Sequence, residues 1–300
     1  MGANNLRIIY NNLADSATIT VSSTASSSLS GANLLKDSKA YVWRSGTSST
    51  TTAKGNIVVQ FNTAQIIGGI ILPFCNLSSV STIRVRGYTG APPTLGGTID
   101  SPTISASGTL IFDTGTISAA PYIPLGSWAW GTQPLGVNTY SYSGGTYARV
   151  WLDNHYTVSS IVIEIIDTNS TSQYIEAARL IVGPYWSPKY NTGYGMTMGV
   201  NESSSHSRTT AGNLITTRGS RYRELNFDLN WLTSSDKTDL LNILYGNGML
   251  KSIFVSLFPN NSSDWSLEQS HQIYGRLSQL SPITYANPLV HSSSIKIEEV

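Results

Sequence analysis

The chain is poor in charge. Lys, Arg, Asp and Glu together make up 12% of its 300 residues, about half the usual share of a soluble protein. The net charge is +1, and it hides no asymmetry, since residues 1–185 and 186–300 each balance their own acids and bases. A nucleic-acid partner wants a basic face. The tightest basic group, Arg218, Arg221 and Arg223, is followed at once by Glu224, so no nucleic-acid partner is expected. The one cysteine, Cys75, rules out an internal disulfide, and its place after the apolar run Ile70-Ile71-Leu72-Pro73-Phe74 reads as a small buried hydrophobe. No stretch approaches the roughly 18 apolar residues that span a bilayer, and Met1–Arg7 lacks the apolar core of a signal peptide. Membrane insertion is therefore not expected, and synthesis in a cytoplasm without the usual secretion route is. The four histidines, His155, His206, His271 and His291, have no metal-ligand spacing. A nucleophile elbow, a P-loop and a dinucleotide-binding glycine motif are all missing. No enzyme is expected.

Hydroxyls take the place of charge: the sequence holds 44 Ser and 31 Thr. A hydroxyl costs less to desolvate than an ion, so such a surface suits dense packing against other proteins. Period-two alternation of apolar and polar residues recurs along the chain. It marks Leu6–Tyr10, Ala17–Ser22, Tyr41–Ser45, Asn56–Phe61 and Thr82–Tyr88. Ile66–Phe74 is a further run, interrupted at Gly68-Gly69. After a Gly- and Pro-rich stretch at 89–146, strand patterns resume at Tyr147–Leu152, Ser160–Ile166 and Tyr174–Gly183. Gly183-Pro184 and Pro188 mark a boundary. Beyond it, Tyr222–Leu229 reads as a strand and a helix follows over about 234–245. Thr233 or Ser234 caps it, Asp236 and Asp239 sit in its first turn, and Leu240, Leu241, Ile243 and Leu244 form its stripe. Strands at Ser252–Phe258, His271–Leu277 and Ser294–Glu298 complete an all-β class built of roughly a dozen short strands in two domains, 1–184 and 185–300.

Ala32-Asn33-Leu34-Leu35-Lys36-Asp37 followed by Trp43-Arg44-Ser45 resembles the opening of a discoidin-like, galactose-binding-like jelly roll. Thr82–Tyr88, Ala148–Trp151, Ile161–Ile166 and Ile175–Leu180 follow in that family's order, so the resemblance covers about residues 15–183. The departure is the long insert at about 89–146. Trp43 alternates with Tyr41 and Ser45, which places its indole between two sheets as a core residue, with a ligand platform as the alternative. The resemblance implies a possible structural calcium ion in the loop of Asp37. The same residue also reads as a turn former bonding its own backbone.

The second block, a strand, a capped helix and Phe254-Val255-Ser256-Leu257-Phe258-Pro259, resembles small β-sandwich or barrel-plus-helix domains of bacteriophage tails. The full order is similar to virion proteins encoded among siphophage tail and baseplate genes. That resemblance implies a non-catalytic structural component of a tail tip or baseplate, located in the virion after synthesis in the host cytoplasm. Its implied partners are other tail or baseplate proteins and further copies of itself. The alternative is a carbohydrate-binding module for a host cell-surface glycan. Trp128 and Trp130 share one side of an extended segment, and Tyr140 and Tyr142 repeat the spacing. These four aromatics suit either glycan contact or packing. Asp113, Asp153, Asp167 and Glu164 can supply the carboxylate pair of a glycoside hydrolase, or serve as caps and loop residues, which is the expectation in so uncharged a chain.

Overall fold

The fold is that of a computed structural model describing residues 5–120, 146–260, 265–287 and 290–300. Its strands run β1 (Arg7–Ile9), β2 (Thr18–Val21), β3 (Trp43–Arg44), β4 (Ala53–Cys75), β5 (Thr82–Thr89), β6 (Thr94–Gly97), β7 (Pro102–Ser105), β8 (Thr109–Asp113), β9 (Ile117–Ser118), β10 (Thr146–Asp167), β11 (Glu176–Ala177) and β12 (Ile181–Gly183). Then come β13 (Thr197–Glu202), β14 (Ser205–Arg208), β15 (Leu214–Thr217), β16 (Arg221–Leu232), helix α1 (Ser234–Asn247), β17 (Ile253–Ser256), helix α2 (Trp265–Ser270), β18 (Gln272–Leu277), β19 (Thr284–Asn287) and β20 (Val290–Glu299). The class is all-β, with a jelly-roll sandwich followed by a smaller β-domain that carries a helix.

The chain divides into two compact units. The first comprises Met1–Ser187 together with Ile253–Gln272, and the second Pro188–Ser252 together with Ile273–Val300. The return of Ile253–Gln272 to the first unit is invisible to local sequence pattern. Its physical basis is strand pairing, because β1 aligns antiparallel with β17, Arg7 opposite Ser256.

In the first unit, β4 and β10 pair antiparallel over nearly their whole length, from Ala53↔Asp167 to Thr146↔Cys75. Register shifts between Trp151 and Tyr156 and between Val158 and Ser160 mark bulges, which bend a strand pair and raise its twist. The two halves of the ribbon consequently take different neighbours. The first half of β4 holds β2, with Thr18 opposite Gln60, and its second half holds β12, with Ile181 opposite Ile71. The second half of β10 pairs with β5, which in turn pairs with β8 and β9. Ile57 and Val59 from one half share a single buried core with Ile70, Leu72 and Val150 from the other. Trp43 lies fully buried in that core, its Nε1 donating to Ser23 O at 3.1 Å.

The sequence pattern reads Asn56–Phe61 and Ile66–Phe74 as separate runs, the second interrupted at Gly68-Gly69, whereas the structure carries one strand straight through them. Close packing explains the glycine. A Cβ on Gly69 would sit 2.7 Å from the Trp151 ring and 2.8 Å from Ile9 Cδ1. Within the expected insert, β6 and β7 form a hairpin whose Leu95 and Ile104 pack on Val58, Tyr88 and Val162.

In the second unit β20 lies between β16 and the part of β18 from Gly275 onward, and β13 pairs with the free side of β16. Leu225, Phe227, Leu229, Ile295 and Ile297 alternate into its core. The α1 helix begins with a reciprocal capping box between Thr233 and Asp236 and ends at Gly248, whose φ of +56° suits glycine. Arg223 and Glu299 form a buried ion pair at 2.8 Å.

Candidate functional site

The bulge in β10 at Trp151–Tyr156 does more than bend the sheet. Side chains alternate along a strand, so Arg149, Trp151 and Asp153 share one side, and the register shift brings Tyr156 to the same place. Facing them are Phe112 and Asp113 at the end of β8, then Thr114, Ile117 and Ser118 where the chain turns into β9. Together with Leu152 and Asn260 they line a cleft of about 550 Å³ within the first unit.

Two buried side chains hold this cleft in shape. Arg149 donates from Nη2 to Glu268 Oε2 at 2.9 Å and from Nη1 to Ser118 O at 3.1 Å. The other oxygen of Glu268 accepts from the backbone N–H of Asn260 at 3.1 Å. Glu268 comes from α2, so the returning segment Ile253–Gln272 completes the site. Both ends of the Arg149–Glu268 pair are almost wholly removed from water, where a charge needs its partner.

The apolar wall is aromatic. Phe112 and Tyr156 stack with ring centroids 5.1 Å apart. Trp151 packs edge-on against Tyr185 and carries the Arg7 guanidinium 5.3 Å from its ring centroid. The buried Trp151 Nε1–H makes no hydrogen bond among the described residues, which leaves a donor to be met by water or a ligand oxygen. On the polar side, Arg84 grips Asp113 with two hydrogen bonds of 3.0 and 2.6 Å. That grip holds the Asp113 carboxyl below the ordinary carboxylate range. The pair's contribution to stability is therefore complete above the unfolded pKa, about 3.9, and fades as pH falls through the lower folded value. At neutral pH Asp113 is an ionised acceptor. It is unsuited to the raised-pKa general-acid role of a glycosidase pair. Asp153 is exposed at the rim.

Of the four carboxylates singled out in the sequence, the structure brings Asp113 and Asp153 to this cleft and sends the others elsewhere. Asp167 is buried, accepting from the Ser78 backbone at 2.7 Å and from its hydroxyl at 2.5 Å. Glu164 pairs with Arg86. Cys75 is buried and donates to Thr146 O at 3.1 Å, and burial pushes its thiol up to about 11. That is a structural thiol.

Asp37 sits in a bend after the 3-10 turn Gly31–Leu35, near enough to Asp15 to raise the latter's pKa, an effect secondary to burial. Asp15, however, is held by Arg179 at 2.7 Å, so a guanidinium already supplies the positive charge there. Among the described residues no three His, Cys, Asp or Glu side chains are grouped to hold a metal. Trp128, Trp130, Tyr140 and Tyr142 lie outside the described residues. No helix among those described is long and apolar enough to cross a membrane.

Arg149, Phe112, Tyr156 and Asn260 had no place among the residues expected to form a site. Part of the signal was present, since Arg149-x-Trp151-x-Asp153 follows strand period. What was hidden is the bulge, together with the distant carboxylate of Glu268.

No family model matches the chain, and no curated protein does. Solved structures do show similarity. One is chitosan-binding module 1 from a chitosanase/glucanase of Paenibacillus sp. IK-5, with 14% identity and a TM-score of 0.37, covering 58% of this chain and 99% of that one. Another is a Clostridium perfringens CBM32 module in complex with GalNAc-β-1,3-galactose, with 8% identity and a TM-score of 0.36, covering 58% of this chain and 100% of that one. A Ruminococcus gnavus GH29 fucosidase in complex with fucose matches at 13% identity and a TM-score of 0.36, over 60% of this chain and 27% of the enzyme.

Proposed function

We propose that the first unit is a non-catalytic carbohydrate-binding module and that the cleft between the β8–β9 turn and the bulged strand β10 is its glycan site. The observation that carries this reading is the joining of an aromatic wall, Phe112, Trp151 and Tyr156, to carboxyl and amide groups, Asp113, Asp153 and Asn260, in one cleft of about 550 Å³. A sugar presents an apolar C–H face and a rim of hydroxyls. Ligand sites for such molecules pair apolar or aromatic walls with a few placed polar groups. Carboxylates accept from hydroxyls, and such charge-assisted bonds are the stronger kind.

Titration of the full chain with glycans selected on an array tests the proposal. Asp153→Ala, at an exposed rim position, is expected to weaken binding about tenfold or more, as loss of a charged hydrogen bond does, while the melting temperature stays the same. Tyr156→Leu keeps apolar volume but removes the flat ring, and about a two- to tenfold loss is expected. A chain that binds no glycan on the array, or binds equally well in both variants, would refute the reading.

The phage tail or baseplate role in the virion is a second reading, supported by the surface of the second unit. It is the smaller unit, yet it carries eleven of the seventeen large apolar side chains exposed among the described residues, including Trp231, Tyr245 and Leu250. Where such groups form a contiguous patch, they mark a surface that meets other proteins. Nothing in the comparisons indicates a tail component, so the glycan reading stands first.

A further inference from the structure

In the second unit, β13 and β16 do not end where the sheet ends. Their last pair is Glu202↔Arg221, and the ribbon continues outward. Ser203 N–H donates to Ser220 O at 3.0 Å, and Gly219 N–H donates to Ser204 Oγ at 2.8 Å. Then β14 and β15 pair from Ser205↔Thr217 to Arg208↔Leu214. A turn closed by Thr209 N–H donating to Asn213 O, with Gly212 at φ +85°, caps the end. Residues 203–220 thus form an arm of two strands with no third strand beside it among the described residues. All eight residues of β14 and β15 are exposed, among them Leu214 and Ile215, each more than half open to solvent.

A lone two-stranded ribbon is marginal in water, and its free edges are templates for pairing with another chain. The arm's charges are only partly offset: Arg218 sits near enough to Glu202 to help hold that carboxyl down, and Arg208 donates from Nη1 to Gly212 O at 3.0 Å. From 203 to 220 there is no acid, while Arg208 and Arg218 are present, and among the described residues neither makes an ion pair. Their neighbours Arg221 and Arg223 are already taken by Glu202 and Glu299.

The complementary surface lies on the same unit. Strand register sets Glu224 opposite Glu298 and Asp228 opposite Ser294 on the non-core face of β16 and β20. Lys296, bonded to Glu224 at 3.0 Å, and Arg276, paired in register with Glu298, only partly offset these three acids. Asp228 and Ser294 are exposed.

We infer that the arm of residues 203–220 docks on the acidic β16–β20 face of a second copy of this chain. Arm and face are different surfaces, so the contact is heterologous and closes into a ring when the rotation permits. Such an assembly goes beyond single-site glycan binding, because it displays several clefts together, and linked weak sites gain avidity.

Mass photometry and light scattering of the full chain test this. The full chain is expected to be a discrete oligomer that dissociates as salt is raised, since exposed charge pairs are screened. Deleting 205–217, so that Ser204 joins Arg218, should yield a monomer. Arg208→Glu with Arg218→Glu should raise the dissociation constant at least about tenfold, with an unchanged melting curve. Asp228→Lys on the face should do the same, and mixing the two charge-reversed proteins should restore association. A monomeric full chain, or an oligomer that survives both the deletion and the arm reversal, overturns the inference. So does a short DNA duplex that binds the full chain and is lost on arm reversal while the oligomer remains.

Discussion

Trp43→Ala is expected to lower the stability of the first unit by about 3–5 kcal/mol, the range for truncating a large buried aromatic. The indole is fully removed from water, so the substitution loses its transfer free energy and leaves a void. It also strands a polar group, because Ser23 O accepts from Trp43 Nε1. The surroundings are poorly placed to collapse. The position of a Cβ on Gly55 lies 3.0 Å from Trp43 Cη2 and 3.3 Å from Ile175 Cδ1, so Gly55, Trp43 and Ile175 already meet tightly. Filling by Gly55→Ala in the Trp43→Ala background should recover a measurable fraction, whereas Gly55→Ala alone should destabilise. Chemical denaturation followed by circular dichroism measures both. A cost below about 1 kcal/mol for Trp43→Ala would mean that the indole is solvated and the core is assembled differently.

That experiment probes the part of the fold most legible in the sequence. Trp43 was readable as core because it alternates with Tyr41 and Ser45, and α1 was readable because Thr233, Asp236 and Gly248 are strong local signals. Local signals also misled. Gly68-Gly69 reads as a break, but the glycine at 69 exists for the Trp151 ring across the strand pair, a contact that the sequence cannot announce. The cleft was half legible. Strand period puts Arg149, Trp151 and Asp153 on one side, yet the register shift that adds Tyr156 depends on how many residues β10 spends between two pairings with β4. Glu268 was illegible, since it lies 119 residues from its partner. Loop closure over such a distance costs little more than over a short one, so chain separation does not forbid the contact, and no local pattern encodes it.

The Arg149–Glu268 pair makes an equally large single-site prediction and separates folding from binding. Arg149→Met is expected to cost about 3–5 kcal/mol, because it leaves Glu268 charged and buried without its partner. Most of that cost is the stranded charge, not the lost attraction. Adding Glu268→Gln removes the charge and keeps an oxygen to accept from Asn260 N–H, the bond that Glu268 makes at 3.1 Å. The double variant should therefore recover much of the stability, with a coupling energy of about 1–3 kcal/mol in the mutant cycle. Glycan affinity should behave differently. The double variant restores the fold but not the guanidinium that lines the cleft and donates to Ser118 O at 3.1 Å. Binding by the refolded double variant should thus stay below that of the full chain even where both are wholly folded. Denaturant titration gives the stabilities, and glycan titration at low temperature gives the affinities. Simple additivity of the two substitutions would show that the pair is not coupled. Full recovery of affinity together with stability would show that Arg149 serves only to hold Glu268, and the guanidinium would then drop out of the proposed site.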